Sequence, residues 1–554
     1  MTELVKKNWP ESIPEELVYR SGEQPLHAYL KKHAQTMPSK TAYHYYGTKI
    51  TWQQLDQDVD RFAQFLRKQG IEKGDRIGLY MQNCPQYIIA HYGVQRVGAI
   101  VAPLNPMYKR SELSFLIKEG GITAVVAGEE LLENLENTEG DMPALKFIVT
   151  TNYSDFLPDE PVLAVPPDCA ITKKRQGDPY DMAAILNEVG PVDRAADIDL
   201  YEDPGLMVFT SGTTGRPKAA LLSFSNALFK TAATVEAYGI TEEERMLAVA
   251  PLCHIAGMVM GVNIPVYTGS ECVLLNRFIP QTAVDAIEQY RITSWYSIAP
   301  MNEAILSIPG IEKRNLKSLK TNMATSFGIP VTEELGNRWS KVTDGCLLFE
   351  ASYGLSETHT CDTFMPKNKI KYGSCGIATY DTEIRIVDPA TGEEMAAGQQ
   401  GEIIVKSPGV FMGYYNRPGA TAATLRDGWV YTGDVGKLDE DGYLYFLGRT
   451  KEMIKSSGFS VFPEDVEALL NEHPAVLQSA VIGVPDAVRG ESVKAFIVLK
   501  PDRKGSITEQ EMIEWAKGYM SAFKYPREIA FLDQLPATSS GKILRRLLKD
   551  EKEG

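Results

Sequence analysis

Paired cysteines are what this chain most plainly lacks. Its seven cysteines (Cys84, Cys169, Cys253, Cys272, Cys346, Cys361 and Cys375) are odd in number, and none forms a C-x-x-C pair. That pattern excludes a disulfide framework or a cysteine zinc site and predicts reduced thiols in a cytoplasmic protein. An excess of positive charge is missing too: 57 Lys and Arg stand against 72 Asp and Glu, a net charge of −15. A general nucleic-acid binder needs a basic face, so that class is excluded. No run is long and apolar enough for a membrane span. The most apolar stretch, Ala256 to Leu275, is broken by Asn263, Pro265 and Glu271 and reads as core. The start has no apolar h-region, so no signal peptide is expected. Internal repeats and low-complexity tracts are absent, and 554 residues suffice for two or more domains with large cores.

What is present is concentrated in one loop: Thr210, Ser211, Gly212, Thr213, Thr214, Gly215, Arg216, Pro217, Lys218 and Ala219. Leu206–Phe209 before it and Ala219–Leu222 after it read as buried strands. Glycines let backbone N–H groups approach phosphate oxygens, hydroxyls add donors, and Arg216 and Lys218 add charge. It is not a Walker A loop, because Pro217 splits the cations and Ala219 stands where Ser or Thr would hold magnesium. The dinucleotide fingerprint G-x-G-x-x-G is absent as well. A Gly-Thr-Thr-Gly alone is usually just a polar turn; the whole string is more specific.

Residues 1 to 450 alternate strand and helix patterns. Asp75–Met81 and Gly98–Leu104 read as strands, and Pro85–Val97 between them as a helix with proline in its first turn. This rhythm predicts mixed or parallel sheets with covering helices. Residues 151–200, rich in Pro and Asp, read as an irregular surface excursion. A domain boundary is expected at Lys451. Residues 451–554 read as a compact α+β unit: helices over Pro463–Asn471 and Gln510–Met520, strands over Ser479–Val484 and Val493–Leu499.

Three further clusters follow. Tyr353-Gly354-Leu355-Ser356-Glu357-Thr358 combines an aromatic for a base, a hydroxyl for phosphate and a carboxylate for magnesium. Asp427 to Asp434 ends in a carboxylate on a glycine turn, suited to a ribose diol, with Arg449 fifteen residues on. Pro536 to Arg546 carries Lys542 on a glycine-containing turn, able to serve as a mobile point charge. Each cluster by itself is more often an ordinary turn or a solvated lysine.

Together, in this order, they resemble the adenylate-forming superfamily over about residues 25 to 550. Within it the chain looks most like acyl-CoA synthetases, long-chain fatty-acid–CoA ligases in particular. The resemblance implies a mixed α/β fold: a large N-terminal domain of β-sheets with covering helices, and a small mobile C-terminal α+β domain. It implies a ligase that uses ATP and Mg²⁺ to turn a carboxylic acid into acyl-AMP and pyrophosphate, then passes the acyl group to coenzyme A. It assigns Thr210 to Lys218 to the β- and γ-phosphates, Tyr353 and Gly354 to adenine, Ser356 to phosphate and Glu357 to Mg²⁺. Asp434, with Arg449, goes to ribose. Lys542 contacts the carboxylate and α-phosphate, Lys451 is the hinge, and Gly458 lines the path of the pantetheine arm.

The chain departs from the family pattern near the substrate. The adenine-facing loop, usually Ser-Gly-Gly-Ala-Pro, reads Ser326-Phe327-Gly328-Ile329-Pro330. Ser223-Phe224-Ser225-Asn226 replaces the frequent Thr-His-Arg-Asn, and Ala351-Ser352 the frequent Gln-Gly. Pro251 to Met258 resembles the segment bordering the carboxylate, which makes His254 either a substrate-site residue or a structural histidine. Met258, Met260, Met301 and Phe327 are expected in the acyl wall or in ordinary core. The acid is therefore expected to be a medium- or long-chain fatty acid, with an aryl or arylalkyl acid as the alternative. An amino-acid adenylating domain fits less well, since those usually read Tyr-Gly-Pro-Thr-Glu. A non-catalytic nucleotide sensor is disfavoured by the full set of catalytic groups. Peripheral membrane contact is compatible with a fatty-acid enzyme, and oligomeric state is not legible.

Overall fold

The structure, a computed structural model, describes residues 7–135, 145–170, 180–191, 194–210, 217–326, 331–449, 454–461, 463–536, 545 and 548. Two seven-stranded sheets dominate the N-terminal part. One runs, edge to edge, through Gly413–Tyr414, Lys218–Ser223, Pro204–Thr210, Ile100–Leu104, Arg76–Tyr80, Ala124–Gly128 and Phe147–Thr151. Its last five strands are parallel, while Lys218–Ser223 returns antiparallel on Pro204–Thr210. The other runs through Leu347–Glu350, Thr321–Thr325, Ser294–Ile298, Arg245–Ala248, Glu271–Leu274, Thr41–Tyr45 and Thr48–Thr51. All of its pairings are parallel except the last. Parallel pairing demands crossover helices, and these bury both faces of each sheet.

Local sequence explains the helices. Trp52–Lys68 begins in a capping box, with Gln54 N–H donating to Thr51 Oγ1 (3.2 Å) and Thr51 N–H to Gln54 Oε1 (2.9 Å). Leu55, Val59, Phe62 and Leu66, spaced for one face, pack it onto Pro85–Arg96. That second helix is buried on every side. Its terminal Arg96 is neutralised by Asp56 (2.7 Å) and Asp60 (2.6 Å), as a buried guanidinium requires.

An antiparallel sheet follows, built on Glu383–Val387, Gly401–Lys406, Trp429–Leu438 and Leu444–Arg449. The last sheet has its own core. Hairpin strands Val476–Asp486 and Gly490–Leu499 are flanked by Ile454–Ser456, Phe459–Val461 and Glu528–Phe531. Helices Pro463–Leu470 and Glu509–Tyr519 cover it, the second capped by Thr508. Members of the N-terminal core end at Leu444, and those of the C-terminal core begin at Ile454. The proposed hinge, Lys451, lies outside the described residues.

One expectation changes. Residues 151–200 are not merely a surface excursion. Tyr153, Leu163 and Cys169 are core residues, and a short helix, Met182–Glu188, inserts Met182, Ile185 and Leu186 into the same core. The apolar side chains spaced between the prolines require that burial. The apolar stretch from Ala256 is core, as expected: a buried helix with a π-turn at Val259–Asn263. No helix among the described residues is long and apolar enough to cross a membrane.

Candidate active site

A cavity of about 540 Å³ opens where the two large sheets meet the C-terminal unit. Thr210 lines it from the end of Pro204–Thr210. Thr325 and Glu350 line it from the C-terminal ends of parallel strands, the position where open α/β sheets bind ligands, and Tyr296 lines it from the middle of the neighbouring strand. The tip of the phosphate loop, Ser211 to Arg216, lies outside the described residues. Its two ends are fixed, because Thr210 pairs with Lys218 across the antiparallel ladder. The Lys218 ammonium lies over the Tyr414 ring, 4.2 Å from its centroid.

The second cluster folds as a closed loop. Tyr353 N–H donates to Thr363 Oγ1 (2.7 Å), and Asp362 N–H returns to Tyr353 O (2.7 Å). Gly354 is obligatory here: a Cβ would lie 2.6 Å from Thr360 Cα and Cys361 N. Ser356 and Glu357 open a short 3₁₀ turn at the cavity. Tyr414 donates its hydroxyl to Glu357 Oε1 (2.7 Å). Desolvation, aided by that carboxylate, pushes the Tyr414 phenol up, so it stays a donor.

The third cluster meets the second. Asp434 is buried at the cavity wall, where its Oδ2 accepts from the Tyr353 hydroxyl (2.8 Å). Burial raises the Tyr353 phenol well above its ordinary range. Arg449 sits opposite Asp434 in the strand register, but its side chain is outside the described residues. The structure thus brings Thr210, Tyr353, Gly354, Ser356, Glu357, Asp434, His254 and Gly458 to one cavity.

His254 precedes the turn Ile255–Met258 and opens its ring onto this cavity. Desolvation lowers its pKa from the usual imidazole range, so the neutral ring faces the space. Of the two readings open for the methionines, wall or core, the structure selects core. Met258 and Met260 are buried in the core and Met301 packs against it; none lines the cavity. The helix from Ile255 turns Met258 and Met260 inward, Met301 belongs to the separate helix Ala299–Leu306, and Val208, Phe209, Ile255, Ala256 and Val331 contribute to the apolar wall. Phe327, Gly328 and Ile329 lie outside the described residues, as does Lys542.

Residues not foreseen also contribute. The hairpin Ile454–Val461 turns at Ser457 (φ 54°) and Gly458 (φ 80°), the two positive-φ positions of a type I′ turn. Beside the expected Gly458 it carries Phe459 to the cavity, with Phe459 stacked on Phe523 at 4.2 Å. Lys524, next in sequence, pairs with Glu112 across the unit boundary (3.2 Å, both buried). Lys455 lies over the Phe446 ring at 4.5 Å. Glu350 accepts Ser326 N–H and hydroxyl, and burial pushes its carboxyl up to about 7. The Gly413-Tyr414-Tyr415 string was the available signal for Tyr414. Phe523 and Lys524 carry no local signature, since tertiary packing alone brings them here.

A sequence model described as "AMP-binding enzyme" matches residues 30–415, and one described as its C-terminal domain matches 465–542. A long-chain-fatty-acid–CoA ligase of Bacillus subtilis (strain 168) is 34% identical, with 98% of this chain and 97% of that protein covered. A feruloyl-CoA synthase of an Amycolatopsis species is 32% identical over 94% of this chain and 98% of its own length. Among solved structures, a double mutant of o-succinylbenzoate CoA synthetase from Bacillus subtilis, bound with its product analogue OSB-NCoA, superposes with a TM-score of 0.79. It is 26% identical, with 96% of this chain and 99% of that one covered.

Proposed function

Because the chain belongs to the AMP-binding enzyme family and is an AMP-forming acid–CoA ligase, we propose that its acid is a medium- or long-chain fatty acid. The observation carrying this reading is the near full-length likeness to the fatty-acid ligase, together with a cavity wall of Val208, Phe209, Ile255, Ala256 and Val331. An alkyl chain gains about 0.8 kcal/mol per methylene removed from water against such a wall.

In the first step a carboxylate oxygen would attack the α-phosphorus of ATP, and pyrophosphate would leave. Two anions must meet, so positive charge has to be supplied. Lys218 stands at the phosphate-loop end, and Lys542 is assigned to the carboxylate and α-phosphate. At the cavity the Glu357 carboxylate is a hard oxygen donor that suits Mg²⁺, and the Ser356 hydroxyl would donate to phosphate. Bound there, Mg²⁺ would supply charge neutralisation on the phosphate oxygens. Asp434 would accept from the ribose hydroxyls, exchanging its Tyr353 partner for the sugar. The Tyr353 ring would face adenine.

In the second step the CoA sulfur would attack the acyl carbon, releasing AMP and the thiol proton. Gly458 and Phe459 already face the cavity, with Lys524 holding Glu112. We read this as the orientation for thioester formation; rotation about Lys451 would exchange it for one presenting Lys542. The proposed division is 1–450 for ATP and acid and 451–554 for the mobile lid, working in the cytoplasm, where ATP and CoA are available.

An aryl acid is the second reading. It is supported by the feruloyl-CoA synthase likeness and by the paired Tyr296 and Thr325 hydroxyls (3.1 Å), which give a ring hydroxyl a partner. The test is Mg·ATP- and CoA-dependent AMP release across straight-chain acids from acetate to oleate, with benzoate and 4-coumarate. A maximum among the longer chains supports the first reading. A maximum at aryl acids replaces it with the second.

A further inference from the structure

Behind the cavity, the loop that presents Glu357 is held in an expensive shape. His359 (φ 57°), Thr360 (φ 57°) and Cys361 (φ 49°) are three consecutive non-glycine residues in the left-handed region. One of them is β-branched, which makes the conformation still less favourable. Such a run persists only where surrounding contacts over-determine it.

Those contacts converge on one ion pair. Lys230, from helix Phe224–Tyr238, reaches Asp362 Oδ1 (2.5 Å), and both side chains are fully buried. Lys230 Nζ also donates to Cys361 O (3.3 Å), a carbonyl of the left-handed run. The other oxygen of Asp362 accepts from Thr358 Oγ1 (2.5 Å), in the residue after Glu357. Asp362 N–H closes the loop on Tyr353 O. Space for the lysine stem comes from Gly409, where a Cβ would overlap Lys230 Cε and lie 2.8 Å from Thr358 O.

Stability alone does not explain this arrangement. A buried ion pair is commonly no more stabilising than well-packed apolar residues of similar size. Its distinctive property is direction: it ties a helix to both ends of one short turn. We propose that Lys230 and Asp362 are positioning residues that fix the Glu357 carboxylate for adenylate formation, acting through Thr358 and the left-handed turn. The proposal rests on the acid–CoA ligase reading.

The test uses the full chain and the double variant K230M/D362L, which removes both charges together. Thr358 retains Leu355 O as a hydroxyl acceptor (3.3 Å). Folding is checked by circular dichroism and Tm. ATP–pyrophosphate exchange is then titrated with Mg²⁺, and thioester formation is measured at saturating, supplied acyl-adenylate. We expect exchange to fall about thirtyfold or more, the half-saturating Mg²⁺ concentration to rise, and thioester formation to stay within about threefold. Gly409→Ala, which displaces Lys230 without removing charge, should shift Mg²⁺ dependence in the same direction and serves where the double variant does not fold. Exchange and Mg²⁺ dependence matching wild type in a folded variant would overturn the proposal, as would equal losses in both half-reactions. Absence of exchange in the wild-type protein would instead overturn the ligase reading itself.

Discussion

Replacing Tyr414 by Phe isolates one hydroxyl that the structure aims at Glu357. The bond is 2.7 Å long, and its acceptor is a carboxylate. A hydrogen bond to a charged group contributes about 1.5–3 kcal/mol, so its loss corresponds to about 10- to 150-fold in rate where it acts in the transition state. Glu357 faces the cavity, and water there can replace part of what is lost. The lower end, about tenfold, is therefore expected. Tyr414→Leu should cost more. It also removes the ring beneath Lys218 (4.2 Å) and the edge contact with Phe411 (4.8 Å). The cation–π share adds about 0.5–2 kcal/mol. The assay is ATP–pyrophosphate exchange at saturating acid, titrated with Mg·ATP for each variant. The Phe variant should show a lower rate at every Mg·ATP concentration, and the Leu variant a further loss. Wild-type exchange in Tyr414→Phe would refute the role of the hydroxyl. Equal losses in the two variants would refute the role of the ring.

Lys542→Ala should cut adenylate formation about a hundredfold, on the order of 3 kcal/mol, and thioester formation from supplied acyl-adenylate far less; equal losses would remove its assigned role. Gly354→Ala forces a Cβ onto backbone at 2.6 Å. It should destabilise the fold by about 1–3 kcal/mol, read from urea denaturation, and an unchanged midpoint would contradict the close approach. Glu350 gives a pH prediction. Burial raises its folded pKa to about 7 from an ordinary carboxylate value, so the folded state holds its proton longer than the unfolded one. Its contribution is full at low pH and lost as pH rises towards 7. The stability of wild type relative to Glu350→Gln should therefore fall by about 1.4 kcal/mol per pH unit across that window; a difference independent of pH would contradict it.

Much of the fold was legible because its signals are local. Pro85 at a helix start, the capping residues and the alternating apolar runs specify elements without reference to distant residues. The phosphate-loop ends and the Tyr353 and Asp434 clusters were legible for a chemical reason, since each packs several functional groups into a few positions. What was not legible arises from distance along the chain. Tyr353 and Asp434 are 81 residues apart, yet they share a hydrogen bond. Lys230 and Asp362 are separated by 132 residues. The choice left open for the methionines has a related cause: apolar character marks Met258 and Met260 as buried, but only the helix phase decides between core and cavity. Residues 151–200 misled through composition, because prolines conceal the spacing of Met182, Ile185 and Leu186.

The most direct test of the account follows an oxygen atom. The fatty acid is supplied with ¹⁸O in its carboxyl group, together with unlabelled Mg·ATP and CoA, and the AMP formed is analysed by mass spectrometry. Attack of the carboxylate on the α-phosphorus, then of CoA on the acyl carbon, leaves one carboxyl oxygen on the phosphate. AMP carrying one ¹⁸O per turnover is the expected result. Unlabelled AMP, or ADP as the nucleotide product, would contradict it.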